Sequence, residues 1–176
     1  MSDNSKLYKI GICILLWLGA LIISCGSGVP KTRLYSLDIE KYQKTSAEDA
    51  DRPCYTAQLD GFSVQVEMIA LSTNHFQLKM GLKNETLPSI TYAAAQPRIF
   101  YPGAQWEVES IDADGEHKSL NWQCTLSQGE SKWFWLGLIN PEALVSQYSL
   151  RVNLGEVIVQ PEGTTIALGE GTIYLE

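Results

Sequence analysis

The chain has 176 residues, with 13 Lys and Arg against 20 Asp and Glu and a net charge of −7. That length suits one domain plus a flanking segment, and the acidic balance argues against nucleic acid or anionic lipid headgroups as the partner. Four cysteines and two histidines leave little material for a metal centre or a histidine-based catalyst.

Lys6 and Lys9 precede an uncharged, mostly apolar stretch over residues 10–23. This is the layout of a secretory signal, and it is shorter than the ~20 residues a membrane-spanning helix needs. The stretch closes on Ile22-Ile23-Ser24-Cys25, which resembles the lipobox of bacterial lipoproteins. The resemblance implies cleavage before Cys25 and lipid on that cysteine, so that the membrane itself is a partner through the lipid. Gly26 in place of Asp implies, by the same resemblance, an outer-membrane location facing the periplasm. The division expected is a signal over 1–24, a lipidated tether over 25–53 and a folded domain over 54–176. Gly-Ser-Gly at 26–28, Pro30, Pro53 and the polar run 40–52 carry the tether expectation, since no apolar periodicity marks a core element there. Within it, Tyr35-Ser36-Leu37-Asp38 is similar to the mature start of auxiliary lipoproteins of lipid-trafficking ABC systems. That similarity implies a subunit of an envelope transport system.

Cys13 falls in the signal and Cys25 takes the lipid, which leaves Cys54 and Cys124. In an exported chain these two are expected to form a disulfide, stabilising by about 3–4.5 kcal/mol in the chain-entropy model. The alternative, a metal held by Cys54, Cys124, His75 and His117, has no close ligand spacing behind it. The expectation is no metal and no cofactor.

From Cys54 onward the pattern has period two. Phe62, Val64, Val66 and Met68 alternate with polar residues, as do Phe76, Leu78, Met80 and Leu82, which predicts a hairpin with one buried face. Residues 90–101 read as a strand broken at Pro97. Trp106 and Val108 lead to a turn at Asp112-Ala113-Asp114-Gly115, and residues 118–124 return as the partner strand. As a calcium loop the Asp-x-Asp-Gly run fails, because its twelfth position is Gln123. Asn84-Glu85-Thr86 matches a glycosylation sequon, which the lipobox resemblance, by implying a bacterial cell, makes an accidental match. Residues 132–139 form the most apolar strand. Asn140-Pro141-Glu142 predicts a short helical turn, and 157–159 with 166–175 supply a last hairpin. The turn followed by Tyr148-Ser149-Leu150 resembles the E–F corner of immunoglobulin-like domains. The fold class expected is all-β, an immunoglobulin-like Greek-key sandwich, with a small β-barrel as the alternative.

No nucleophile elbow, zinc-protease motif or phosphate loop is present, and His75 and His117 read as solvated turn residues. The chain is therefore expected not to be an enzyme. One stretch stands out, Trp133-Phe134-Trp135-Leu136. In a strand its residues alternate between two faces, and a sandwich strand buries only one. Trp133 and Trp135 are expected inward, leaving Phe134 and Leu136 on a second apolar stripe. These four residues are the candidate surface for an envelope protein partner. The function expected is a lipid-anchored binding or assembly module of the cell envelope. The transport subunit is the first alternative and an envelope hydrolase the second.

Overall fold

The structure, a computed structural model, describes residues 33–46, 53–72, 74–140 and 149–175. The signal, Cys25 and the start of the tether lie outside the described residues, as does the helical turn expected after Asn140. The described residues contain no helix, and so none long and apolar enough to cross a membrane.

Among the described residues fifteen strands follow one another. The first seven are β1 (Arg33–Ile39), β2 (Gln43–Ser46), β3 (Pro53–Leu59), β4 (Phe62–Ser72), β5 (His75–Asn84), β6 (Ser89–Ala93) and β7 (Arg98–Tyr101). Then come β8 (Ala104–Ala113), β9 (Glu116–Lys118), β10 (Gln123–Ser127), β11 (Ser131–Ile139), β12 (Ser149–Asn153), β13 (Glu156–Gln160), β14 (Thr164–Ala167) and β15 (Glu170–Leu175).

Every pairing is antiparallel, and the strands form two sheets. In the larger, the order β1-β15-β12-β7-β8-β11-β5-β4 returns to its start, because β4 also pairs β1 through Ala70–Arg33 and Ile69–Leu34. Two long strands make this curl possible. The first part of β4 pairs β3, and its end pairs β1. The start of β8 pairs β7, and its end pairs β9. Register shifts at Ala70/Ser72 and at Gly137/Leu138 add the local bend and twist that bulges bring. The smaller sheet, β10-β6-β13-β14, faces the larger one. Tyr92 of β6 stacks on Phe134 of β11 at 5.8 Å and donates its hydroxyl hydrogen to Leu154 O at 2.8 Å. Both sheets feed one buried cluster.

The chain changes sheet at short connections, and Asn84 secures one of them. Its buried side-chain amide donates to Leu87 O and Leu126 O, and its carbonyl oxygen accepts from Leu87 N–H. That nitrogen is committed inside the fold and offers no acceptor for a glycan.

The hairpin predicted over 62–82 is present in the register Val64–Leu82, Val66–Met80, Met68–Leu78. The break at Pro97 is the step from β6 in one sheet to β7 in the other. Three expectations need correction. The tether is not all tether, because β1 and β2 are strands of the larger sheet and Leu37 and Ile39 are buried in the core. The alternation of Leu37 and Ile39 was masked there by the polar residues around them and the polar run that follows. The return strand after Asp114-Gly115 stops at Lys118, and Cys124 belongs to β10 of the other sheet. The last hairpin is β13–β14, while β15 crosses back to pair β1 and β12.

Candidate interaction surface

The middle of the larger sheet shows which way β11 faces. Phe134, Leu136 and Leu138 pair directly with Met80, Leu78 and Phe76 on one side and with Ala113, Ile111 and Val108 on the other. All of these side chains are buried. Directly paired residues share a face, so this is the core face. Trp133 and Trp135 point the other way. The expected orientation is thus reversed, and Phe134 and Leu136 are core residues that no partner can reach. β5 decides the matter, because its odd positions Gln77, Lys79 and Gly81 are not apolar while its even positions are.

On the outer face the registers of β4, β5 and β11 lay out a three-by-three lattice. Its rows are Ser63–Lys83–Ser131, Gln65–Gly81–Trp133 and Glu67–Lys79–Trp135. Gly81 stands at the centre and carries no side chain. The Trp133 indole falls across it, so closely that a Cβ on Gly81 would come within 2.9 Å of the ring. Trp133 is nevertheless 40 % exposed, one of three large apolar side chains exposed among the described residues. The result is a shallow depression of about 180 Å³, bounded by Ser63, Gln65, Lys83, Ser131 and Trp133.

Lys79 ties the lattice together. Its ammonium lies 3.1 Å from Glu67 Oε1, 4.5 Å from the Trp133 ring centre and 5.2 Å from that of Trp135. Cation–π attraction of this kind favours a fixed placement of both rings. Glu67 is one of two buried polar residues among the described residues, and its carboxylate is tolerated because this ammonium pairs it.

Cys54 and Cys124 are both buried free thiols, so the expected disulfide is not formed. The registers explain why. Cys54 pairs Glu67, which pairs Lys79, which pairs Trp135, so Cys54 shares the outer face of the larger sheet. Cys124 pairs Tyr92, whose ring stacks on Phe134, so it faces the interior between the sheets. The sheet stands between the two sulfurs. Burial pushes the Cys124 thiol from its ordinary 9.0 up to about 11.

The histidines lie apart. His117 on β9 approaches Asp112 at 3.3 Å on the exposed hairpin. In the same region Lys118 pairs Glu116 at 2.5 Å, holding that carboxyl below its usual range, and Lys132 pairs Asp114 at 2.8 Å. His75 and Ser110 flank Gly137 on the outer face, where a Cβ would meet Ser110 Oγ and stand 3.4 Å from His75 Nε2. No hydrogen bond joins that serine to that histidine. Among the described residues no three His, Cys, Asp or Glu are grouped as metal ligands. A polar groove of about 840 Å³ runs past Gln96, Arg98, Asn153 and Glu170, but these side chains bind neighbours in the protein. Gln96 Oε1 accepts Glu156 N–H, Arg98 pairs Glu107, and Asn153 donates to Glu170.

The residues that sequence reasoning missed are Gly81, Lys79 and Gln65. Their signal was present as the polar phase of β5 and β4, but it marks a site only once β11 is known to lie beside β5. No protein-family model matches the chain, and no curated protein matches it.

Proposed function

We infer that the chain is a non-enzymatic binding module of a bacterial envelope, anchored by lipid on Cys25 and offering the outer face of β4, β5 and β11 to its partner. The observation that carries the binding reading is Trp133, a fixed and exposed indole at the rim of a central depression. An indole left in water on a sheet face gives up the free energy of burying it, about 1.5–3 kcal/mol for a large apolar side chain, and such residues concentrate at binding surfaces. The anchor reading draws on the lipobox-like residues at 22–25, and β1 begins at Arg33, a short segment beyond them. An outer-membrane, periplasm-facing location and an envelope protein as partner belong to the same proposal. So does the Greek-key, immunoglobulin-like description of the fold. Only an all-β chain of curled antiparallel sheets stands behind its coarse form, and the Tyr148 corner that suggested it lies outside the described residues.

One observation favours the transport-subunit reading. The Tyr-Ser-Leu-Asp stretch resembling ABC auxiliary lipoproteins forms a strand, with Leu37 buried.

Two measurements test the proposal. Cys25→Ala should move the protein from the membrane fraction to the soluble fraction or halt its processing; unchanged membrane attachment contradicts the anchor. Oxidative labelling of Trp133 should be slower in intact envelopes than in the purified protein, and equal labelling contradicts a partner on this face.

A further inference from the structure

We propose that the depression centred on Gly81 is a sugar-binding site that takes one pyranose ring of a neutral glycan, stacked against Trp133. The proposal rests on the reading of this face as a binding surface and names the class of ligand.

The shape and the chemistry agree. The void is about 180 Å³, room for a single ring. Trp133 is the lone exposed aromatic beside it. The other two exposed large apolar residues, Leu120 and Tyr174, lie on the β9–β10 connection and on β15, off the lattice. Around the indole stand two hydroxyls, Ser63 and Ser131, an amide, Gln65, and an ammonium, Lys83. These are the donors and acceptors that ring hydroxyls need. The apolar C–H face of a pyranose carries slightly positive hydrogens, which the electron-rich face of an indole attracts.

The platform is also prepared in advance. Gly81 backs the indole so closely that it cannot settle further, and the Lys79 ammonium lies over the ring, 4.5 Å from its centre. With the ring held by both, little ordering is left to be done on binding, which is where small-ligand affinity is otherwise lost. The local charges are already paired, Lys79 with Glu67 at 3.1 Å and Lys83 with Glu85 at 3.8 Å. The site thus suits an uncharged ring better than an ionic ligand.

The test uses the full, lipidated chain in detergent, titrated calorimetrically with chitohexaose, cellohexaose and maltohexaose. At least one should bind with a Kd on the order of millimolar, as a single-ring contact allows. Trp133→Ala and Gly81→Ala should each weaken that binding by roughly tenfold or more, the second because its methyl group displaces the indole. Trp133→Phe should keep part of the affinity, and Leu120→Ala should keep all of it. Unfolding curves identify any variant that loses binding by losing its fold. Binding to none of the three sugars, or binding indifferent to Trp133→Ala, overturns the proposal. If Trp133 is still protected in envelopes in that case, the partner is a protein and the binding-face reading stands. If it is not protected, both fall.

Discussion

Lys79 shows how much one side chain can organise on an otherwise flat strand face. Its ammonium neutralises a nearly buried carboxylate and lies against two indoles. Lys79→Met should leave Glu67 buried without a counter-charge, at a cost of about 1–3 kcal/mol. Adding Glu67→Gln should recover part of that loss, because the stranded charge is then gone. Denaturant titration of the two single variants and the double checks this, and strictly additive losses would show that the pair is not coupled. The cysteines make a second residue-level case. Reading two leftover cysteines in an exported chain as a disulfide uses composition alone, and composition cannot see that Cys54 lies on the outer face of the larger sheet while Cys124 faces the interior from the smaller one. Thiol titration of the mature protein should find both unreactive in the native state and two free thiols after denaturation. The Cys124 thiol, raised from 9.0 to about 11, also sets a sign for pH dependence. The unfolded chain releases this proton near pH 9 and the folded chain only near pH 11. Its contribution is therefore intact below about pH 9 and is lost as pH rises toward 11, by at most about 2–3 kcal/mol. Stability measured between pH 8 and 11 should fall, and Cys124→Ala should flatten that fall.

Among the elements, β1 and β11 carry the account. β1 pairs both β15 and β4 and is the strand that joins the two ends of the larger ladder. A chain starting at residue 54 lacks β1 and β2, exposes the β15 edge and removes Leu37 and Ile39 from the core. Each core deletion of that size costs about 2–5 kcal/mol. Such a chain should fail to unfold cooperatively on heating, whereas one starting at residue 26 should do so. Equal melting of the two would contradict the closed ladder. β1 was hard to read because its apolar positions are few and a polar run follows directly. β4 and β5 were legible because their alternation extends over seven residues or more on each strand. In β11 the strand itself was legible, but its facing was not. With aromatic or aliphatic residues in both phases, period two fixes no direction, and only the pairing with β5 does. Gly81 became part of a site by the same step.

At the scale of the molecule, an all-β chain in two sheets was legible from short alternating runs and Asp-Gly, Gln-Gly and Pro-Glu-Gly turns. The closure of the larger sheet was not, because it depends on contacts between the first and last strands that no local pattern encodes. The same closure puts one face of β4, β5 and β11 in the common core and the other outside it, so that β11 has one inward and one outward set of aromatics. Paired unfolding free energies of Phe134→Ala and Trp133→Ala in the chain starting at residue 26 test that division. Phe134→Ala should lose about 3–5 kcal/mol and Trp133→Ala roughly 1 kcal/mol or less. A large loss at Trp133 with near-unchanged stability at Phe134 would contradict it.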